Sequence, residues 1–450
     1  MAASVYVPPF ERQQREAMKD TRMHESLVQR CDLGLAAART RHGLPRVRSK
    51  GHTSRVPSLM SLLVQREQRG NLTEPESLAL QESFLPFGSN SNFFEVDQLH
   101  ARLYCGEFTR DGRQFLVAGQ REDILVYDTM TWKRVHSLPA RDVNWTITDA
   151  HFTPDGNNVV YSSISSTVRM VSANKEIAFR LGRPKRTISN RGRIVRDYAV
   201  WCLGINAMGT EFLAGTGSNS VVLHDMTTNT TVCHLMGHTD DVNAITFVDG
   251  PFYSNVFVSG SDDHLIKLWD RRMMSETNAR PQGVFPGHTE GITHLSSRED
   301  GYYFISNAKD QTCKLWDLRK CVDEEQLLHV PPRYHWDYRW EEYPGYASSE
   351  SLTPHPQDQS IMTYRGHIVQ QTLVRCYFSP MHSTAQRYIY SGSADGEVYI
   401  YDVLTGAIVE QLELDSQGLT RDVRWHPYLP MIVSPDFFGK LCVWQKDPSL

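Results

Sequence analysis

Gly237-His238, then Val258-Ser259-Gly260-Ser261-Asp262-Asp263, then Lys267-Leu268-Trp269-Asp270-Arg271-Arg272 make up a unit that is at once repeated. The second copy reads Gly287-His288, Ile305-Ser306-Asn307-Ala308-Lys309-Asp310 and Lys314-Leu315-Trp316-Asp317-Leu318-Arg319. From Ser259 to Ser306 and from Arg272 to Arg319 the offset is a constant 47. A period of roughly 40–45 that opens on Gly-His and closes on Trp-Asp marks a propeller blade.

A blade is a four-stranded antiparallel sheet that cannot cover both of its faces alone. Stacking blades about an axis covers them and leaves only short, protected edges. Strand direction alternates, so the Gly-His turn and the tight turn bearing Asp263 or Asp310 fall on the same face. This predicts a buried relay of His238, Asp263, Ser259 and Trp269, and a second of His288, Asp310, Ser306 and Trp316. Buried polar side chains persist when paired, and such a network fixes one arrangement of strands. We read both sets as structural. A hydrolase reading would need one of these His-Asp pairs to be exposed.

Working outward, the chain of 450 residues is 40% hydrophobic and 22% charged, the composition of a folded globular protein. Its net charge of −5 argues against a dedicated nucleic-acid binder. Eight widely spaced cysteines, with no Cys-x-x-Cys pair, disfavour a zinc site or a disulfide scaffold and point to a reducing compartment, cytosol or nucleus. No apolar run approaches membrane-spanning length, and the N-terminus has no signal-peptide core. A Gly-rich phosphate loop, His-Glu-x-x-His and Gly-x-Ser-x-Gly are all missing, so neither an enzyme nor a cofactor is expected.

Residues 1–80 form a basic extension. Over 1–70 there are 13 Lys/Arg against 6 Asp/Glu, or +7, which leaves −12 for the rest. A helix is expected over 58–69, with Leu59, Leu62 and Leu63 on one face, Ser58 as N-cap and Gly70 as stop. It reads either as a docking helix that folds on a partner or as a segment lying on the propeller. Residues 81–450 hold the blades, whose third strands end at 128, 172, 225, 270, 317, 402 and 445, spaced 44, 53, 45, 47, 85 and 43. The 53 contains a basic loop, 180–196, with seven Lys/Arg. The 85 is close to two periods, but its proline density does not suit a sheet interior. We therefore expect seven blades and an insertion over 321–360 between blades five and six. The aromatic run Trp336, Tyr338 and Trp340 in that insertion is either a partner surface or a set of rings pinning the loop down. A closed ring needs an N-terminal strand in its last blade, from 84–87 or 93–96.

Arg272 and Arg319 each follow a Trp-Asp by two residues, where the chain leaves the third strand on the face opposite the Gly-His turns. Neighbouring blades thus carry two exposed guanidiniums on one rim, with Asp270 and Asp317 positioned to hold them. Arginine offers a planar fork of donors to carboxylates and carbonyls.

Paired Trp-Asp-x-Arg endings resemble the box by which WD-repeat substrate receptors bind the damaged-DNA-binding-protein adaptor of cullin-4 RING ubiquitin ligases. HTDDVN at 238–243, Trp336-Asp337-Tyr338-Arg339-Trp340, Met362-Thr363-Tyr364-Arg365-Gly366-His367 and Phe378-Ser379-Pro380-Met381-His382 are similar to one receptor group. That group is the damaged-DNA-binding-protein- and cullin-4-associated factor 11 group, also called WD-repeat protein 23. The likeness runs from about residue 21 to 445. It implies a non-catalytic receptor, gripped by the adaptor through Asp270, Arg272, Asp317, Arg319 and the 58–69 helix, that presents an unknown protein substrate on its other face. The alternative is a scaffold for RNA processing or trafficking in which the arginines brace strands. Arg121, Ser218 and Phe438 replace the tight-turn Asp in blades one, three and seven, and those blades are expected to be looser. The acidic N-terminal extension of animal members is missing.

Overall fold

The computed structural model describes residues 85–87, 91–172, 175–181, 198–250, 254–274, 280–328, 330, 334, 336–347, 355–413 and 418–446. The expected helix at 58–69, with Leu59, Leu62 and Leu63, lies outside these residues, as does most of the basic loop at 180–196.

Seven antiparallel four-stranded sheets form the described structure, so the chain is an all-β, seven-bladed propeller. Six blades are sequential, spanning 103–139, 147–180, 200–236, 242–285, 292–365 and 376–412. In blade seven the strands Arg424–Trp425, Met431–Pro435 and Lys440–Lys446 are joined by Ser91–Gln98, which pairs antiparallel with the last strand from Ser91↔Lys446 to Gln98↔Lys440. The N-terminal strand therefore closes the ring, in the second of the two expected places and extended at both ends. Leu99 continues the fastening by donating to the Gly439 carbonyl at 2.7 Å.

The core is distributed around the ring. Seven apolar clusters lie one at each blade junction, such as Phe257 and Trp269 of blade four against Leu213 and Leu223 of blade three. Sheet faces, rather than a central interior, supply the burial that drives folding. In blade one the first strand, Leu103–Phe108, is almost wholly buried, whereas the fourth, Arg134–Pro139, is exposed at most positions.

First strands of blades one to five all shift register after their first paired residue. Such a bulge re-aims the extra side chain. Three of those side chains reach a carbonyl at the start of the next blade: Thr148 to Val200 (2.6 Å), Asn243 to Ile292 (3.3 Å) and Thr293 to Val374 (3.0 Å).

One boundary differs from expectation. Met362–Arg365 pairs with Thr312–Asp317 as the fourth strand of blade five. The insertion thus interrupts blade five between its third and fourth strands, rather than separating blades five and six. The reason is a one-strand offset: each Gly-His turn follows the outer strand of the blade before it, so a sequence repeat and a blade are out of phase.

Candidate functional site

Arg272 and Arg319 sit in equivalent single 3-10 turns, Arg271–Met273 and Leu318–Lys320, directly after the third strands of adjacent blades. Each third strand starts at the Gly-His face, so both turns lie on the opposite face. The preceding aspartate builds each turn. Asp270 accepts the Arg272 backbone N–H at 2.9 Å and takes its fork at Nε (2.9 Å) and Nη2 (2.6 Å). Asp317 does the same for Arg319 at 3.0, 2.9 and 3.0 Å. Such charge-assisted two-point contacts fix the guanidinium plane. The hydrogen bonds from Arg272 hold the Asp270 carboxyl below its usual range, and Asp270 raises Arg272 in turn.

Neither guanidinium is free, yet both stay open to solvent, with side chains 64% and 50% exposed. Arg319 also donates to Tyr303 Oη at 3.3 Å and lies 4.9 Å from the Tyr302 ring centroid. The neighbour Arg271 behaves otherwise: both its Nη atoms go to Glu211 of blade three, at 2.6 and 2.9 Å. One arginine of the Arg271-Arg272 pair ties two blades together, and the other faces water.

The two relays are assembled on the Gly-His face. His238 Nδ1 lies 2.9 Å from Asp263 and its Nε2 2.7 Å from Ser259 Oγ, which accepts the Trp269 ring N–H at 2.8 Å. In blade five the distances are 2.9, 2.6 and 2.7 Å for His288, Asp310, Ser306 and Trp316. Indole N–H can only donate, so each serine receives it and passes its own proton to histidine Nε2. Nδ1–H is then left to donate to the aspartate. Burial would raise the Asp310 carboxyl, but His288 overcomes it and holds Asp310 well below the usual carboxylate range. The His and Asp side chains are only 1–6% exposed, so neither pair can meet a substrate.

Blade six departs from this pattern. His367 Nε2 turns to Asn307 of blade five (2.7 Å) and its Nδ1 to Tyr401 Oη (2.9 Å), where Tyr401 stands in place of the tryptophan. In blade three, where Ser218 stands in the tight turn in place of the Asp, Ser218 joins Thr216 and Ser220 in a buried hydroxyl cluster with 2.9 Å spacings.

Within the insertion the aromatic residues divide. Tyr343 is buried, with Tyr334 and Trp336 packed edge-on to it at 5.6 and 5.3 Å. Tyr338 lies over Lys309 Nζ at 4.0 Å, and its carbonyl accepts from Gln371. Trp340 is 85% exposed and takes no part in that anchoring.

An axial cavity of about 610 Å³, lined from all seven blades, holds an ionic cluster with no sequence motif. Arg375 is buried between Asp149 (2.7 Å) and Asp422 (3.3 Å). His151 is flanked by Asp149 at 3.2 Å and Glu107 at 3.1 Å. Burial alone would depress His151, but Asp149 and Glu107 overcome it and hold the imidazole up at about 10. Asp422 also accepts from Tyr377 Oη and the Gly106 N–H. The cluster is internally paired and joins blades one, two, six and seven. Among the described residues no group of His, Cys, Asp and Glu is placed to hold a metal ion.

Three segments, 229–270, 279–317 and 358–402, match the WD40 family model (WD domain, G-beta repeat). With the seven blades and the His-Asp-Ser-Trp relays of blades four and five, this defines a WD40-repeat propeller, a fold class of scaffolds and receptors. The chain is 36% identical over 404 residues to the LEC14B homolog of Prunus armeniaca, covering 88% of this chain and 83% of that protein. It is 37% identical over 398 residues to the LEC14B protein of Lithospermum erythrorhizon, covering 86% and 82%. With the DDB1- and CUL4-associated factor 11 homolog of Caenorhabditis elegans it shares 33% identity over 365 residues, 78% of this chain and 62% of that protein. The chain belongs to the WD-repeat family of these proteins, the LEC14B and DDB1- and CUL4-associated factor 11 group.

Proposed function

We propose that this protein is a non-catalytic substrate receptor that links target proteins to a cullin-4 RING ubiquitin ligase through its DDB1 adaptor, leading to their ubiquitination and proteasomal degradation. The observation that carries the reading is the pair of exposed guanidiniums in matched turns of blades four and five, each held rigid by its own aspartate. A pre-oriented arginine fork loses little freedom when a carboxylate or carbonyl docks on it. Relatives named for DDB1 and CUL4 association support the same reading. Leu59, Leu62 and Leu63 supply a second adaptor contact in this scheme. The receptor works in the nucleus, the cytoplasm or both, where buried thiols such as Cys105 and Cys313 stay reduced.

The test is capture of the adaptor by the wild-type protein and by the Arg272→Ala/Arg319→Ala double variant. Truncating an interface hot spot costs about 2 kcal/mol or more, so binding should weaken at least about tenfold. Buried Asp317 loses its fork, so the unfolding midpoint should fall somewhat, and an unchanged far-UV circular dichroism spectrum at the assay temperature shows that the variant is folded. Undiminished capture by the double variant defeats the proposal.

A further inference from the structure

On the Gly-His face, blades four and five and the insertion enclose a separate concavity of about 350 Å³. Three carboxylates line it, Asp240, Asp262 and Glu290, facing the insertion rings Tyr334, Trp336 and Tyr338. One ammonium is present, and it is already matched: Lys309 Nζ is 2.6 Å from Asp262 and sits over the Tyr338 ring. Burial pushes His264, also in the wall, below its usual range, so it stays neutral. Asp240 and Asp262 against the single ammonium leave a net charge of −1, which becomes −2 when Glu290 ionises.

Glu290 is the unusual member. Its residue is 6% exposed, and its Oε1 accepts no hydrogen bond among the described residues. The Trp336 side chain and the Tyr334 backbone reach its carboxylate, so it also fastens the insertion. Burial and the nearby Asp310 push it up to about 7. A buried carboxylate with an open lone pair is costly unless a cation or donor completes it. Asp240 is exposed at the mouth and forms no salt bridge among the described residues. Acidic groups beside aromatic faces suit a cation carried on an apolar stem, which takes both charge pairing and cation–π attraction. The missing metal-ligand geometry among the described residues argues for an organic cation.

We propose that this concavity receives an arginine or lysine side chain of a bound protein segment, with Asp240 and Glu290 taking its charge and Trp336 and Tyr334 its stem. The identity of that segment as part of a ubiquitination substrate rests on the receptor reading above; the pocket itself does not. The full-length protein is titrated with N-acetyl-arginine amide, N-acetyl-lysine amide and the uncharged N-acetyl-norleucine amide, following tryptophan emission, with Trp336→Phe assigning the signal. Saturable binding of a cationic probe, at least about fivefold weaker in Glu290→Gln and in Asp240→Asn and missing for norleucine, is expected. Equal binding of norleucine, or wild-type affinity for the cationic probes in Asp240→Asn, overturns the proposal. The Arg272→Ala/Arg319→Ala protein should bind the probes normally, so this test and the adaptor test fail independently.

Discussion

Ser259 accepts the Trp269 indole N–H and donates its own hydroxyl to His238, and no apolar residue can do either. Ser259→Ala leaves an indole N–H and an imidazole nitrogen buried without partners. Each stranded buried group costs about 1–3 kcal/mol, so we expect the variant to lose about 2 kcal/mol or more, read as a lower denaturant midpoint at unchanged slope. The same substitution at Ser218 should cost less, because Thr216 and Ser220 keep each other as partners at 2.9 Å. The four relay residues are legible in the sequence because blade geometry repeats them at fixed offsets. The Arg271–Glu211 tie is not, since its partners are 60 residues apart and only the ring brings them together. Nor does the motif alone distinguish Arg271, bound to a neighbouring blade, from Arg272, which faces solvent.

Closure of the ring is the element on which the blades depend. Gly439 turns the chain into the last strand with φ of +89°, and a Cβ built there would lie 1.7 Å from the Leu99 carbonyl oxygen. Only glycine fits both the conformation and the approach. Gly439→Ala should cost about 2 kcal/mol or more, with hydrogen exchange rising first along Ser91–Gln98 and Lys440–Lys446. Uniform exchange around the ring would show that closure is not the weak point. Seven blades and an N-terminal closing strand can be read from the spacing of strand ends. The placement of the insertion cannot, because Met362–Arg365 carries no signal saying which blade it completes. Its pairing with Thr312–Asp317 is settled across a gap of more than forty residues by the open edge of blade five.

Across the whole molecule, the axial ionic cluster makes stability depend on pH. His151 titrates near 6.5 when unfolded and at about 10 in place. The folded state therefore holds a proton that the unfolded chain has already released. Its contribution is fully present below about pH 6.5 and is lost as pH rises toward 10. Between pH 7 and 8 the wild-type protein should lose up to about 1 kcal/mol, and His151→Asn should flatten that slope. Equal slopes in both proteins would remove His151 as the cause. Glu107, Asp149, Arg375 and Asp422 come from four blades, and no local pattern in the chain announces their meeting. Sequence periodicity locates strands, whereas the groups at the axis are selected by what the other blades present.

Pairing Ser91 with Lys446 also has a temporal side. A ribosome releases the first strand of this ring about 350 residues before its partner exists. Throughout synthesis, Ser91–Gln98 is an unmatched edge open to strand exchange with other nascent chains. Premature termination near the C-terminus would therefore do more harm than its length suggests, because it strands both ends of the polypeptide at once.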